Sequence, residues 1–299
     1  MKTLSQIGEF GLIERIAKKI RADKSVVCGI GDDTAVISYT RDKYLLFTTD
    51  MLIEGVHFSR KEATFAQIGR KALAVNISDI AAMGGVPKYA VISAGIPKAL
   101  CLRAIDDIMY GINTLAREYK INIVGGDTVR SNKIVLCVSL VGEVKKRNLV
   151  RRSGAKVGDL IFVSGALGNS RRLKQFNFIP RVKEAQAIIK KFKPRAMIDL
   201  SDGLVSDLQR IAKQSRVGAA IFKELIPLSR GASLQSALYE GEDFELLFTM
   251  SLKSARKFYK KGKFPITCIG KIVDKKEGLA IINKKARPRP LKQKGFRHF

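Results

Sequence analysis

Apolar positions near the start of the chain recur at helical spacing. Leu4, Ile7, Ile13, Ile16 and Ile20 stand three or four residues apart or at a multiple of that interval, which predicts an amphipathic helix with Ser5 as its cap. Short apolar runs bounded by Gly, Asp and Ser then predict strands at 26–30, 35–38 and 44–49. The segment 64–83 is rich in Ala and Ile and stops at Gly84-Gly85 and Pro87, a helix with its terminator. A strand near 89–95, a helix near 102–119 and strands at 121–124 and 133–144 complete this half.

The basic, turn-rich piece 145–158 interrupts the pattern. Beyond it the spacing predicts a strand at 160–164, a helix at 181–191, a strand at 196–200 and a helix starting at 202. A strand at 245–250, a basic helix at 253–261, a strand at 266–273 and a basic tail from 284 follow. This order is α/β with α+β mixing rather than a plain βαβ repeat. It divides into two domains, residues 1–145 and 146–299.

Composition narrows the class. With 46% hydrophobic and 27% charged residues over 299 positions, the chain has enough apolar material for a sizeable core. No stretch approaches the roughly 20 apolar residues of a membrane span, and polar and acidic residues follow Met1 too closely for a signal peptide, so the expected location is the cytoplasm. Cys28, Cys101, Cys137 and Cys268 are widely separated and form no CxxC pair, which argues against a zinc site or a disulfide framework. The net charge is +28, of which the first 150 residues carry +7 and the remainder +21. Such an excess raises the question of nucleic acid. Trp is absent, however, and basic pairs such as Lys190-Lys191 lack interleaved aromatics to stack bases, so a solvated basic surface is the preferred reading.

The candidate chemistry lies in aspartates set in turns and at strand ends: Asp32-Asp33 after Gly31, Asp50 after Thr48-Thr49, Asp79 in Asn76-Ile77-Ser78-Asp79, Asp127 after Gly125-Gly126, and Asp199 and Asp202 around Leu200-Ser201. Carboxylates gathered at one sheet edge repel one another unless cations sit between them, and magnesium prefers such hard oxygens. Asn76 and Asp79 share one helical face inside an otherwise apolar segment, so they need polar partners; a metal site and a buried hydrogen-bond network both supply them. Ser201-Asp202 fits a helix cap and equally a phosphate-facing helix start. A P-loop GxxxxGK[ST] is missing, and two histidines leave little scope for a His-driven mechanism.

Six motifs in order carry a resemblance: Gly29-Ile30-Gly31-Asp32-Asp33, Thr48-Thr49-Asp50 through His57-Phe58, Asn76-Ile77-Ser78-Asp79 through Gly84, Gly125-Gly126-Asp127-Thr128, Asp199-Leu200-Ser201-Asp202-Gly203, and Gly241-Glu242-Asp243-Phe244-Glu245. Together they closely resemble the thiamine-monophosphate kinase family of the aminoimidazole-ribonucleotide-synthetase-like superfamily. The resemblance implies ATP-dependent phosphorylation of thiamine monophosphate to thiamine diphosphate with several magnesium ions. It also implies a homodimer in which strands of the amino-terminal domain join those of the partner. As metal ligands it implies Asp32, Thr48, Thr49, Asp50, Asp79, Asp127, Asp199 and Asp202. For ATP it implies Tyr110, Gly126, Asp127, Arg152 and Ser201, and for the acceptor His57, Glu242 and the tail aromatic Phe296. The chain departs from the family pattern in shorter stretches between Gly168 and Asp199 and between Leu204 and Glu242, and in Glu240 where a glycine is usual. Sister enzymes of the superfamily fit less well: no reactive cysteine precedes Cys28, and the chain ends His298-Phe299 rather than in cysteine.

Overall fold

A computed structural model describes residues 3–261, 266–285 and 287–291. Its first half runs α1 (Leu4–Ala17), β1 (Val26–Cys28), β2 (Ala35–Ser38), β3 (Lys43–Ile53), α2 (Phe65–Ala82), β4 (Val86–Ile96), α3 (Leu102–Tyr119), β5 (Asn122–Arg130) and β6 (Val135–Lys145). The second half runs β7 (Leu160–Val163), α4 (Ser170–Leu173), α5 (Val182–Phe192), β8 (Ala196–Asp199), α6 (Leu204–Ser215), β9 (Gly218–Phe222), α7 (Leu234–Tyr239), β10 (Leu246–Met250), α8 (Leu252–Lys261), β11 (Thr267–Val273), β12 (Leu279–Ile282) and β13 (Pro288–Pro290). Each half builds one sheet, in the order β1-β2-β3-β6-β4-β5 and β13-β12-β9-β11-β7-β10-β8. Pairing is antiparallel except at β4–β5 and β9–β12. The class is mixed α/β, as expected. No described helix is long and apolar enough to cross a membrane.

Helix α2 organises the molecule. Thr64 caps it, accepting from the Gln67 backbone N–H while the Gln67 side chain returns to the Thr64 N–H. It is buried nearly all round, because it packs on β3 and β6 of the first sheet, on α3, and on α5 and β8 of the second half. Ile68, Leu73, Ile77 and Ile80 are completely buried in a core cluster that also takes in Phe162, Met197 and Phe248 from the second sheet. Each such side chain contributes on the order of 1.5–3 kcal/mol through its burial. Helices α2 and α3 cross backbone against backbone: a Cβ on Gly69 would lie 2.0 Å from the Ile108 carbonyl oxygen, and one on Gly111 would lie 1.9 Å from that of Ala66. Only glycine admits that approach.

Several expected elements shift. The first helix is capped by Thr3, whose N–H donates to Gln6, and not by Ser5. It breaks at Gly8, where φ is 63°, and none of its residues is buried. Its apolar residues belong to neither core cluster of the described residues; Phe10 lies under the Arg210 guanidinium and Glu14 pairs with Lys213 at 2.6 Å. The helix expected from 202 starts at Leu204, after Gly203 with φ 107°, so Ser201 and Asp202 do not cap it. Strand β3 extends to Ile53 and β5 to Arg130, carried past their turn-like residues by pairing with β6 and β4. Elements α4, β9, α7, β12 and β13 have no counterpart in the sequence reading; they are short, and β9 is almost wholly buried, which leaves little periodicity to read.

Candidate active site

The carboxylates meet where the two sheets face each other across α2. Asp33 follows β1 in the turn that enters β2, Asp79 lies in the last turns of α2, and Asp199 ends β8. One oxygen from each lies within 4.8 Å of the others, although Asp33 and Asp79 stand 46 positions apart in the chain and Asp79 and Asp199 stand 120 apart. Asp50, on β3, stands close enough for its charge to act on Asp79. Two hydroxyls hold the arrangement: Thr48 Oγ1 donates to Asp79 Oδ2 at 2.5 Å, and Ser78 Oγ donates to Asp199 Oδ2 at 2.6 Å.

Burial and mutual repulsion set the electrostatics. The Asp79 and Asp199 carboxyls are pushed well above the usual carboxylate range, first by burial and then by neighbouring charge, Asp50 and Asp199 acting on Asp79 and Asp33 acting on Asp199. Asp50 is raised to about 6, mainly by burial, with Asp202 and Glu242 adding to the shift. Asp33 Oδ2 is buried without a hydrogen-bond partner. Crowded, partner-poor carboxylate oxygens are the donor set of a hard divalent cation, and these residues fit one.

Arginines close the flanks. Arg152 reaches Asp33 Oδ1 through Nη2 at 2.6 Å and Nε at 3.2 Å, and its backbone N–H donates to Asp32 Oδ1 at 3.1 Å. Asp32, raised to about 6 chiefly by burial, is thereby turned toward the Arg152 backbone. Asp33, which the ligand set from sequence omitted, takes the central place; adjacent aspartates in a turn cannot be told apart before the turn geometry is known. Asp202 forms an ion pair with Arg210, which also binds Asp207. Ser201 accepts the Glu242 N–H at its carbonyl, 2.8 Å away.

Strand alternation separates the threonines. Thr48 and Asp50 face α2, whereas the Thr49 hydroxyl lies on the opposite face, accepting from Ser139 Oγ at 3.0 Å and 3.4 Å from Cys137 Sγ. Of the two threonine hydroxyls, only that of Thr48 bonds a carboxylate of the cluster. Asn76 donates from its amide to the Ala72 carbonyl at 3.1 Å within α2, and its Oδ1 is buried without a hydrogen-bond partner. Asp127 stands exposed on β5, opposite Ser93, and accepts from the Thr128 N–H at 2.8 Å. Its neighbour Gly126 presses so close to β4 that a Cβ would meet the Ile92 carbonyl oxygen at 1.9 Å. Tyr110 is exposed on α3. Beside it, a groove of about 290 Å³ is lined by Ile105, Met109 and Ile112 of α3 and by Ile123, Gly125 and Thr128 of β5.

Toward the start of α2, where Lys71 lies, His57 Nδ1 accepts the Ile53 N–H at 3.0 Å, so the neutral ring carries its proton on Nε2. Glu242 pairs with Lys71 at 2.5 Å. Lys71 was also missed from sequence; its signal was a lysine beginning an otherwise apolar helical run. Phe296 lies outside the described residues.

Residues 31–144 match the family model for AIR synthase related protein, N-terminal domain. The thiamine-monophosphate kinase of Aquifex aeolicus is 36% identical over 324 residues, covering 99% of each chain, and that of Escherichia coli K12 is 35% identical over 325 residues, covering 98% of each. Since this chain has 299 residues, the 324-position alignment leaves at least 25 positions that it does not fill. The solved structure of AaThiL complexed with AMPPCP and TMP superposes with a TM-score of 0.85 at 34% identity, over 100% of this chain and 99% of the other. With identity sustained along nearly the full length of both partners and the same fold throughout, this chain belongs to the thiamine-monophosphate kinase family.

Proposed function

We propose that the protein transfers the terminal phosphoryl group of ATP to thiamine monophosphate, giving thiamine diphosphate and ADP. The convergence of Asp33, Asp79 and Asp199 carries this reading. The acceptor is itself a phosphate oxygen, largely ionised at neutral pH, so no strong base is needed and alignment with charge neutralisation does the work. Magnesium ions, when bound, offset the repulsion between the two anionic reactants.

Asp33, Asp50, Asp79 and Asp199 are the side chains placed to hold those ions, with Asp32, Thr48, Thr49, Asp127 and Asp202 as further members of the proposed ligand set. Thr48 and Ser78 orient the carboxylates by donating to them. Arg152, now on Asp33, is the cation placed for the polyphosphate, together with Ser201. The apolar groove beside Tyr110 and Gly126 suits the adenine ring, with apolar walls from α3 and backbone polar groups from β5. His57 and Glu242 serve the acceptor. In this scheme residues 1–145 form the nucleotide and metal domain, and residues 146–299 complete the site. A cytoplasmic setting accords with this chemistry.

The same reading includes a homodimer. On the sheet face opposite α2, cross-strand registers bring together Phe47, Val141 and Tyr89 in one row and Met51, Cys137 and Ser93 in another, and Phe47, Met51, Tyr89 and Val91 are exposed. An apolar sheet face of this kind suits burial against a second copy. Sedimentation should give a dimer, and Val91→Glu should give monomers. Incubation of the purified protein with ATP, magnesium and thiamine monophosphate tests the reaction; a folded protein that forms no thiamine diphosphate overturns it.

A further inference from the structure

Lys71 has no place in the scheme above, yet its ammonium is the most completely enclosed charge beside the site. Its side chain is 0% exposed. Three oxygens surround Nζ: the His57 carbonyl at 3.0 Å, Gln175 Oε1 at 2.9 Å and Glu242 Oε2 at 2.5 Å. The Phe176 ring lies 5.1 Å from it. Two of its donors make hydrogen bonds, and the Glu242 carboxylate adds an ion pair. Burial pulls the group below the usual lysine range, while the Glu242 carboxylate opposes that shift and favours the charged form.

The three partners come from three separate places in the chain: the loop after β3, the end of α4 and the loop before β10. Two of them are the residues assigned to the acceptor. Glu242 has φ 61°, a left-handed conformation that a side-chain-bearing residue adopts only when its surroundings impose it. Part of its side chain stays accessible while one oxygen is held by Lys71.

We infer that Lys71 is a positioning residue for the acceptor, fixing Glu242 and the His57 loop in one frame from inside the protein. This rests on the proposed acceptor roles of His57 and Glu242. Because Lys71 is buried, it acts through those residues and touches no substrate. Its removal therefore changes acceptor affinity and leaves ATP affinity as it was, because Lys71 holds His57, Gln175 and Glu242 and makes no bond to Arg152, the cation proposed for the polyphosphate.

The test uses the purified full chain with ATP, magnesium chloride and thiamine monophosphate. Lys71→Met is expected to raise KM for thiamine monophosphate about tenfold, the size of one charged hydrogen bond, with KM for ATP changed less than about twofold. Lys71→Arg, which retains the charge, is expected to recover part of the loss. An unchanged acceptor KM in folded Lys71→Met overturns the inference, and so does an equal rise in both constants. If Lys71→Met does not fold, Lys71→Met/Glu242→Gln, which removes both charges, takes its place. The double variant is expected to match the acceptor KM of Glu242→Gln alone, and a further rise of about tenfold overturns the inference. A wild-type chain that makes no thiamine diphosphate refutes the reaction itself, an outcome separate from either of these.

Discussion

Two groups of buried carboxylates meet at one end of the second sheet, one around Asp199 at the end of β8 and the other, Asp243 and Glu245, just ahead of its neighbour β10, and they are handled in opposite ways. Asp243 and Glu245 are saturated with donors. Asp243 accepts from the Gly168 N–H at 2.9 Å and from the Ser170 hydroxyl, and Lys174 stands 3.5 Å away. Glu245 accepts from Arg181 through Nε and Nη2, each at 2.7 Å, and from Ser164 Oγ at 2.7 Å. In spite of burial, its carboxyl is held below the usual glutamate range by those partners. In the other group Asp33 Oδ2 has no donor, and Asp79 and Asp199, each held by one hydroxyl, are well above the carboxylate range. Burial is common to both groups, so burial does not mark the site. The deficit of donors does, because only an exogenous cation removes it.

The sharpest break of this comparison is Asp79→Asn. Turnover should fall about a thousandfold, since the geometry of the reacting phosphates is lost, while the melting temperature in metal-free buffer stays level or rises because one repelling charge is gone. Glu245→Ala should do the reverse. It removes the carboxylate shared by Arg181, Lys174 and Ser164 and leaves Arg181 only Glu184, so denaturant unfolding should report a loss of about 2–3 kcal/mol.

Acidification separates Asp50 from Glu245 by sign. Asp50 has its folded value raised from 3.8 to about 6, so the native state binds the proton more tightly than the unfolded chain does. The stability linked to it is present below pH ~4 and is lost as pH rises through about 6. Metal-free protein should therefore gain melting temperature between pH 7 and 5, and Asp50→Asn should gain less. Glu245 has a lowered value, so its contribution is present above its unfolded value of 4.5 and disappears as pH falls through the folded one. Saturating magnesium should raise the melting temperature at pH 7, by about 2.7 kcal/mol of stability at a hundred times Kd. The smallest effect belongs to Thr49→Val. Its hydroxyl faces away from the carboxylates, so metal-dependent turnover should change less than about threefold if its side chain is no ligand, whereas Thr48→Val should cost more by releasing Asp79.

Much of this was legible in the chain. The spacing in 102–119 matches α3 residue for residue, and the polar positions in the apolar run 64–83 pointed to Asp79. Spacing could not rank Asp32 against Asp33, because a turn obeys no fixed period and the difference rests on where Arg152 arrives from 119 residues away. Nor could it show that Lys71 and Glu242 meet, since no local pattern encodes a pair 171 residues apart. The α1 pattern was real but misleading: periodicity records which residues share a helical face, and nothing in it says that another surface covers that face.

Helix α2 also has a metric consequence. Lys71 and Asp79 are eight residues apart on one uninterrupted helix, about 12 Å along its axis at 1.5 Å per residue. The helix is thus a fixed gauge between the acceptor frame and the carboxylates, clamped sideways by the glycine crossing with α3. One residue added between them would turn one end about 100° away from its partners. Change in chain length is tolerable only where no such gauge runs, in the connections around the second sheet.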